Sequence, residues 1–238
     1  MSNSAIYVIY RSMAKKKPGG RPAKPGKQAR MPRAERERQL LDVALRMFIR
    51  HGYQGTSIED LARAAGVTRP IIYAHFGSKD GIYLACLRRA RAELDARLGA
   101  GAATGDLASR LKGGIDGYFS FVESDRAAWS ILFGGGVAVA GPAAAEAARL
   151  RFATVDRITN LLAEVAPKVD RQTLEAFAHA VSGSGEQLAK WWLSRRDLTR
   201  EQVVAYHLAI AWRGLQHLQE LNAKAAASPT EQAAPVSP

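Results

Sequence analysis

The stretch that decides the fold is residues 40–87, LLDVALRMFIRHGYQGTSIEDLARAAGVTRPIIYAHFGSKDGIYLACL. Its apolar residues recur every three or four positions, a spacing that buries one face of an α-helix. The first such run consists of Leu41, Ala44, Leu45 and Phe48. Gly52 follows His51 directly and supplies a residue that tolerates the left-handed backbone at a helix end. The pattern predicts a first helix over about residues 34–51.

Hydroxyl residues and glycines divide the next part of the stretch. The sequence Thr56-Ser-Ile-Glu59 fits a capping box, in which Thr56 caps the second helix and Glu59 reaches back to it. Gly66 ends that helix. Thr68 then caps a third, short helix, with Pro70 in the first turn, where a missing N–H costs nothing. Two short helices joined this tightly predict a helix-turn-helix.

The rest of the chain continues the helical pattern. Ser78 caps a fourth helix that extends to about Leu98, and GAGAATG at 99–105 predicts a break between domains. About five more helical patterns follow, and no stretch alternates as a strand does. The sequence therefore predicts an all-α fold of about nine helices. The expected domains are a basic arm over 1–32, a three-helix helix-turn-helix domain over 33–80, a helical domain over 81–224 and a disordered tail over 225–238.

The charge of the chain is concentrated at one end. The 238 residues carry 34 Lys+Arg and 22 Asp+Glu, a formal net charge of +12. The net charge is +9 over residues 1–38, +3 over 39–98 and zero over 99–238. A neutral body with a basic N-terminal third predicts an anionic partner at that end, as in nucleic-acid-binding proteins.

Several protein classes are excluded by composition. Cys86 is the only cysteine, so the chain is neither a disulfide scaffold nor a paired-cysteine metal protein. No run approaches the roughly 20 apolar residues of a membrane span, and the apolar run 5–10 is too short for a signal peptide. We therefore expect a cytoplasmic protein with no membrane partner.

The basic arm carries too much Pro and Gly for helix or strand. Its residues 11–33, RSMAKKKPGGRPAKPGKQARMPR, are also too polar to offset the entropy of ordering, so we expect disorder. One interpretation is a solvated tail, and Met13 or Met31 as the true start would make part of it an artefact. The other is an arm that enters a DNA minor groove. The side chains for that role are Arg21, Lys24, Lys27 and Arg30.

Residues 40–87 resemble the TetR-type bacterial transcriptional repressors over nearly the whole DNA-binding unit. The matching positions are Ala44, Phe48, Gly52, Tyr53, Thr56, Ile58, Leu61, Ala62, Ala65, Gly66, Val67, Tyr73, His75, Phe76, Ser78 and Lys79. Two departures stand out: Pro70 fills a position often taken by glycine, and Gly81 one often taken by a helix former. The resemblance implies a homodimer that binds double-stranded DNA and responds to a small-molecule effector.

The first turn of the third helix is the candidate for reading bases in a major groove. It consists of Thr68, Arg69, Pro70 and Ile71. Arg69 is the main candidate because a guanidinium can bond guanine O6 and N7 together. The alternatives are a phosphate contact or a free surface position for Arg69, and partial burial for Ile71.

A second group of residues is expected to contact phosphates, which fixes register without reading sequence. The resemblance implies this role for Tyr73, His75 and Lys79, and Lys79 also lies at the positive end of the fourth helix. Thr56 and Ser57 begin the second helix with the same geometry on the other side.

The larger half of the chain carries candidates for dimerisation and effector binding. The resemblance implies that the last two helices pair with a second copy, and the alternative for each stripe is an intrachain core. The stripe residues are Leu174, Phe177, Val181, Gly185, Leu188, Val204, Leu208, Ala211, Leu215 and Leu218. The resemblance also implies a pocket in the middle helices, where aromatic residues can equally be plain core. The pocket candidates are Tyr118, Phe121, Trp129, Phe133 and Phe152.

The leading hypothesis is thus a sequence-specific DNA-binding regulator, a repressor that an effector releases from a palindromic operator. A non-sequence-specific DNA-binding protein that uses the basic arm is the second hypothesis. An enzyme is the third and is disfavoured, because the five histidines lack HExxH spacing and the chain has no GxSxG or GxxxxGK[ST] loop. We predict no catalytic residue, no metal ligand and no cofactor.

Overall fold

The computed structural model of the chain describes residues 31–103, 106–134, 143–195 and 197–227. These residues form nine α-helices and contain no strand, so the predicted all-α class is confirmed. The helices are α1 Arg33–His51, α2 Ile58–Ala65, α3 Arg69–Phe76, α4 Lys79–Gly101, α5 Leu107–Ser124, α6 Arg126–Phe133, α7 Ala143–Val165, α8 Arg171–Leu193 and α9 Arg200–Ala227.

The described residues from Glu37 onward form one compact unit. The four basic residues proposed for a minor-groove arm, Arg21, Lys24, Lys27 and Arg30, lie outside the described residues. None of the described helices is both long enough and apolar enough to cross a bilayer.

The cap of α2 lies one residue later than the sequence predicts. Ser57, and not Thr56, is the N-cap: its Oγ accepts from the Asp60 N–H, and the Ser57 N–H donates to Asp60. The capping box is therefore Ser57–Asp60, and the predicted Thr56–Glu59 box is wrong. The physical reason is burial, since Thr56 is only 1% exposed and its hydroxyl donates to the Gly52 carbonyl at 2.7 Å.

The two turns that flank α3 both use a left-handed glycine. Gly66 ends α2 with φ 64°, and the Val67 N–H donates to the Ala62 carbonyl at 3.0 Å. Gly77 ends α3 with φ 74°. Ser78 caps α4, as predicted, by accepting from the Gly81 N–H at 2.9 Å. A Cβ at Gly81 would lie 1.9 Å from the Phe76 carbonyl oxygen, so the close approach of α3 explains this departure from the family pattern.

Aromatic side chains join α1 to the start of α4. Phe48, Tyr53 and Tyr83 are all buried, and the Tyr83 ring meets the other two edge-on at centroid distances of 5.0 and 5.1 Å. The Tyr53 hydroxyl donates to Asp80. Burial, followed by that bond, raises the pKa of Tyr53 to about 12, so the phenol stays protonated and the bond persists at neutral pH.

Helix α4 continues from this cluster into the core of the larger half. Its buried side chains extend from Ile82 to Leu98 along its whole length. Close packing against α5 depends on glycine, because a Cβ at Gly101 would lie 1.9 Å from the Gly113 carbonyl oxygen and the reverse distance is 1.7 Å. The predicted break at 99–105 thus begins with three residues that still belong to α4. This helix is shared by the helix-turn-helix and the core of the larger half.

Candidate DNA-binding surface and effector cavity

The first turn of α3 presents its side chains to solvent. Thr68, Arg69 and Pro70 are exposed, whereas Ile71 is partly buried and packs against the core. Ile72 is fully buried in the hydrophobic core and fixes the opposite side of the helix. The structure therefore brings together the four predicted base-reading residues, with Ile71 facing the protein more than the sequence alone indicates.

Arg69 has a protein partner in this state. Its Nη1 donates to Oε1 of Glu59 on α2 at 2.6 Å, and both side chains are more than half exposed. The Arg69 guanidinium holds the pKa of Glu59 below its usual value. Sequence reasoning placed Glu59 in a capping box and missed this pairing, which only the close approach of α2 and α3 creates.

The predicted phosphate contacts differ in how accessible they are. Tyr73 is 50% exposed. Lys79 donates to the Tyr53 carbonyl at 2.9 Å and lies over the Tyr53 ring, 4.2 Å from its centroid, so its ammonium is held at the start of α4. Ser57 is partly buried, with its hydroxyl 2.6 Å from Asp60. Ser57 and Lys79 each lie at the start of a helix, α2 and α4 respectively.

Two predicted phosphate contacts are placed less favourably. The Thr56 side chain is buried and bonded to the Gly52 carbonyl, which contradicts a side-chain role at the surface. The His75 side chain is 11% exposed, and its Nδ1 lies 4.0 Å from a Glu37 carboxylate oxygen without a hydrogen-bond partner among the described residues. Little of its ring is therefore available to a phosphate.

An apolar cavity of about 140 Å³ lies among α4, α5, α7, α8 and α9. Its wall is almost entirely carbon and includes Leu111 and Tyr118 of α5, Ile158 of α7 and Leu215 of α9. The polar exceptions include Thr154, His207 and two arginines. A wider cleft of about 480 Å³ lies along α1, α6, α7 and α8, with Phe133, Phe152 and Glu186 in its lining. Burial raises the pKa of Glu186.

The structure corrects the prediction that five aromatic residues line one pocket. Tyr118 alone of the five residues lines the apolar cavity. Phe121 and Trp129 are buried in the core, and Trp129 donates to the Tyr118 hydroxyl at 2.9 Å. Phe133 lines the wider cleft, as does Phe152, which is 58% exposed. Short α6 turns its aromatic side chains into the core, and the cavity is lined mainly by aliphatic residues instead.

The predicted dimer stripes are also corrected, because most of their residues pack within the chain. Five are buried: Leu174, Val204, Ala211, Leu215 and Leu218. Gly185 is buried against His207, and Phe177, Val181, Leu188 and Leu208 are partly buried. The stripes form the intrachain core that was the alternative interpretation. Large apolar side chains are exposed instead on another face of α8 and α9, at Trp191, Tyr206 and Ile210.

Polar contacts join α4 to α7, one of the helices that lines the cavity. Arg91 is buried, pairs with Asp95 and donates to the Thr154 hydroxyl at 2.6 Å. Nearer the helix-turn-helix, Arg151 donates to the Tyr83 hydroxyl at 2.5 Å. Sequence reasoning missed these residues, since an arginine within a helical pattern gives no signal that its partner lies about 65 positions away.

No group of three or more His, Cys, Asp or Glu residues that could hold a metal ion occurs among the residues that the structure describes. Among the cavity residues that sequence reasoning did not assign to a pocket is the buried His207. A signal was present, since His207 falls three residues after Val204 and four before Ala211 on the same buried stripe.

Both halves of the chain match models of known protein families. The family model described as "Bacterial regulatory proteins, tetR family" matches residues 40–86, and "Tetracyclin repressor-like, C-terminal domain" matches residues 107–214. The HTH-type transcriptional activator FasR of Mycolicibacterium smegmatis is 28% identical over 191 residues, 79% of this chain and 87% of that protein.

Solved structures and shorter relatives agree with these matches. A TetR-like transcriptional regulator from Rhodococcus sp. RHA1 has a TM-score of 0.65 and 28% identity, over 79% of this chain and 99% of that one. AibR, solved with isovaleryl coenzyme A and operator DNA, has a TM-score of 0.62 and 20% identity, over 74% of this chain and 97% of that one. Regulators named as repressors match over 49–59 residues, 23–31% of their own length.

Proposed function

Because this chain belongs to the TetR family of bacterial regulatory proteins and is a DNA-binding transcriptional regulator, we propose that it represses transcription from a palindromic operator and is released by a small-molecule effector. The observation that carries this proposal is the first turn of α3, which is exposed while Ile72 locks the other side of the helix. A short helix with an exposed first turn is what a major groove admits.

The proposed reading of DNA assigns bases to α3 and phosphates to its neighbours. Thr68, Arg69, Pro70 and Ile71 face the base edges, and Arg69 supplies the main discrimination. Ser57, Tyr73, His75 and Lys79 bind phosphates, with Thr56 now limited to holding the turn before α2. DNA binding is assigned to residues 33–80, and effector binding and dimerisation to residues 81–224. The arm residues 21–30 add affinity through phosphate or minor-groove contacts.

A second copy of the chain is the proposed partner on the exposed face of α8 and α9. One α3 reads only one half-site, and a palindrome needs two at a spacing of ~34–36 Å. Trp191, Tyr206 and Ile210 expose apolar surface together, with the Trp191 and Tyr206 ring centroids 6.5 Å apart. Ala180 and Gly183, also exposed, allow a partner helix to approach α8 closely.

The effector is proposed to occupy the apolar cavity and to act through α4. This helix carries Tyr83 at the helix-turn-helix and Leu98 in the cavity wall, and it bonds to α7 through Arg91 and Thr154. A ligand that fits better when α4 is shifted lowers operator affinity by that difference in binding free energy. AibR, crystallised with both a ligand and operator DNA, supports this interpretation by the likeness of fold.

The experiment that tests the function is selection of bound sites from a random DNA pool, repeated with a metabolite extract. We expect a palindromic consensus whose recovery falls when the extract is present. A protein that binds DNA without sequence preference yields no consensus, and this outcome would favour the basic-arm alternative. Expression from a reporter that carries the consensus then separates a repressor from an activator, the class to which FasR is assigned by name.

A further inference from the structure

A pair of oppositely charged side chains joins the solvent-facing sides of α2 and α3. Nη1 of Arg69 donates to Oε1 of Glu59 at 2.6 Å, and the two side chains are 61% and 53% exposed. Leu61 and Ile72 occupy the buried sides of the same two helices. Glu59 therefore lies on the same surface as the proposed base-reading turn, within hydrogen-bond distance of its main candidate.

The cap of α2 does not use the Glu59 carboxylate. Ser57 and Asp60 bond to each other's backbone N–H groups and form the capping box by themselves. Arg69 is the only side chain that bonds to Glu59 among the described residues. This hydrogen bond holds the pKa of Glu59 below its usual value, so the carboxylate is ionised at neutral pH and can only accept hydrogen bonds.

The proposed transfer of Arg69 to a guanine deprives Glu59 of its partner. The freed carboxylate then lies at the DNA surface, where an anion without a hydrogen-bond donor lowers affinity. The major-groove edge of a G·C pair offers one donor, the cytosine N4 amino group, beside the two guanine acceptors N7 and O6. A carboxylate is the side-chain group that accepts from this amino group.

We propose that Glu59 is a second base-reading residue, which accepts a hydrogen bond from the cytosine N4 amino group of the G·C pair whose guanine binds Arg69. This inference rests on the proposed function, which places the first turn of α3 in a major groove. In the free protein the guanidinium and the carboxylate satisfy each other. On the operator each exchanges its partner for the complementary group of one base pair.

The order of donors and acceptors makes this reading selective. A G·C pair presents two acceptors and then a donor across the major groove, whereas an A·T pair presents its donor, adenine N6, between two acceptors. A C·G pair presents the donor first. Arg69 and Glu59 together therefore match a single base pair in a single orientation, which a guanidinium alone specifies less completely.

The test modifies the cytosine opposite the guanine that Arg69 reads, at the operator position where Arg69→Ala loses discrimination. N4-methylcytosine still pairs with guanine but places a methyl group where the major-groove N4–H was. Wild-type protein should bind this duplex about tenfold more weakly than the unmodified operator, the factor for one charge-assisted hydrogen bond lost. A duplex with 5-methylcytosine, which keeps the N4–H, is the matched control and should show no such loss. Fluorescence anisotropy at fixed salt measures both affinities.

Two variants separate the contact from the charge. Glu59→Ala should bind the N4-methylcytosine and 5-methylcytosine duplexes equally, although its affinity for all DNA rises because a negative charge is removed. Glu37→Ala removes the same charge from α1, where the side chain is 46% exposed, and should keep the tenfold sensitivity to N4-methylation. Equal binding of the two modified duplexes by wild type, or persistence of the sensitivity in Glu59→Ala, would overturn the inference.

The operator selection distinguishes failure of this inference from failure of the proposed function. A wild-type consensus without a G·C pair at the position read by Arg69 overturns the role of Glu59 and leaves sequence-specific regulation standing. The absence of any wild-type consensus overturns the proposed function, and the role of Glu59 with it. A consensus that contains this pair, and that loses preference there in Glu59→Ala, supports both.

Discussion

The guanidinium of Arg69 donates to the carboxylate of Glu59 at 2.6 Å, which joins the first turn of α3 to the first turn of α2. Both side chains are solvent-exposed, so the pair is screened by water and opens readily. Without DNA, Glu59 holds the guanidinium beside the proposed reading surface. We propose that on DNA a guanine takes the place of the carboxylate.

Arg69→Ala should reduce discrimination at a single operator position. A bidentate contact to guanine contributes about 1–3 kcal/mol of preference over the wrong base, and alanine loses it. The measurement is competition between the selected operator and its single-base variants at fixed salt.

Arg63→Ala is the matched control for that substitution. Arg63 is an exposed arginine of α2, 3.4 Å from Asp60, so its removal changes the charge of the domain by the same amount. We expect it to weaken all sequences alike. If Arg69→Ala also weakens all sequences alike, Arg69 contacts a phosphate and does not read a base.

Gly113→Ala should destabilise the fold, by about 1–3 kcal/mol, because the new Cβ would lie 1.7 Å from the Gly101 carbonyl oxygen and force α4 and α5 apart. The neighbouring Gly114→Ala, whose Cβ meets only Ala102 at 3.9 Å, should instead gain about 0.5–1 kcal/mol from helix propensity. Urea unfolding of the two variants measures the contrast. Equal effects would show that α4 and α5 do not pack this closely.

Tyr83→Phe should weaken the coupling between effector and operator while it leaves effector-free operator binding nearly unchanged. The substitution removes the hydroxyl that accepts from Arg151 and keeps the ring among Phe48 and Tyr53. A loss of about 0.5–2 kcal/mol of coupling is expected for a residue on such a connection. The readout is operator affinity with and without the extract fraction that releases DNA.

Ser120→Ala is the control for the coupling experiment. It removes a hydroxyl that accepts from Arg97 of α4 at 2.9 Å, a contact of the same kind that leads to α5. We expect full effector response in this variant. A full response in Tyr83→Phe as well would show that the Arg151–Tyr83 bond does not carry the coupling.

The free energy of unfolding should fall as the pH drops below about 6.5. His207 should account for part of this dependence of stability on pH. Burial lowers the pKa of His207 in the folded state from its ordinary 6.5, so below that pH the unfolded chain binds the proton and the folded chain resists it. Unfolding is therefore favoured by up to about 1.4 kcal/mol for each pH unit until the folded pKa is reached. Denaturation of wild type and His207→Leu at pH 7.5 and 5.5 measures the difference in slope. Identical slopes in the two proteins would mean that His207 titrates as an exposed histidine does.

Ile210→Glu should dissociate the proposed dimer and leave the fold intact. Ile210 is 55% exposed in the single chain, so a carboxylate there is hydrated in the monomer and buried unpaired in the dimer. We expect the dimer dissociation constant to rise at least about tenfold, as for a central interface residue, by sedimentation equilibrium. Ala96→Glu places the same charge on an exposed position of α4 and should have no such effect. An unchanged dimer in Ile210→Glu would exclude this face of α8 and α9.

Local sequence signals were enough for the helices of the DNA-binding half. Gly52, Gly66 and Ser78 end or cap helices where predicted, because left-handed backbone and side-chain capping depend on neighbouring residues. The capping box was placed one residue early because Thr56 and Ser57 are both competent caps. Burial of the Thr56 hydroxyl at the Gly52 carbonyl, a tertiary effect, gives the cap to Ser57.

The sequence by itself determined the all-α class, the helix-turn-helix and the exposed turn that begins at Thr68, since each depends on periodicity and on contacts within a few residues. Only the tertiary structure decided which faces of α8 and α9 are buried, which side chains line the cavity and that Arg69 meets Glu59. The sequence of an amphipathic helix shows that one face is buried. It does not show whether that face packs against the same chain or against a second one. Val204 and Leu215 turned inward, and Ile210 remained outside, because α5 and α7 complete the core that surrounds His207.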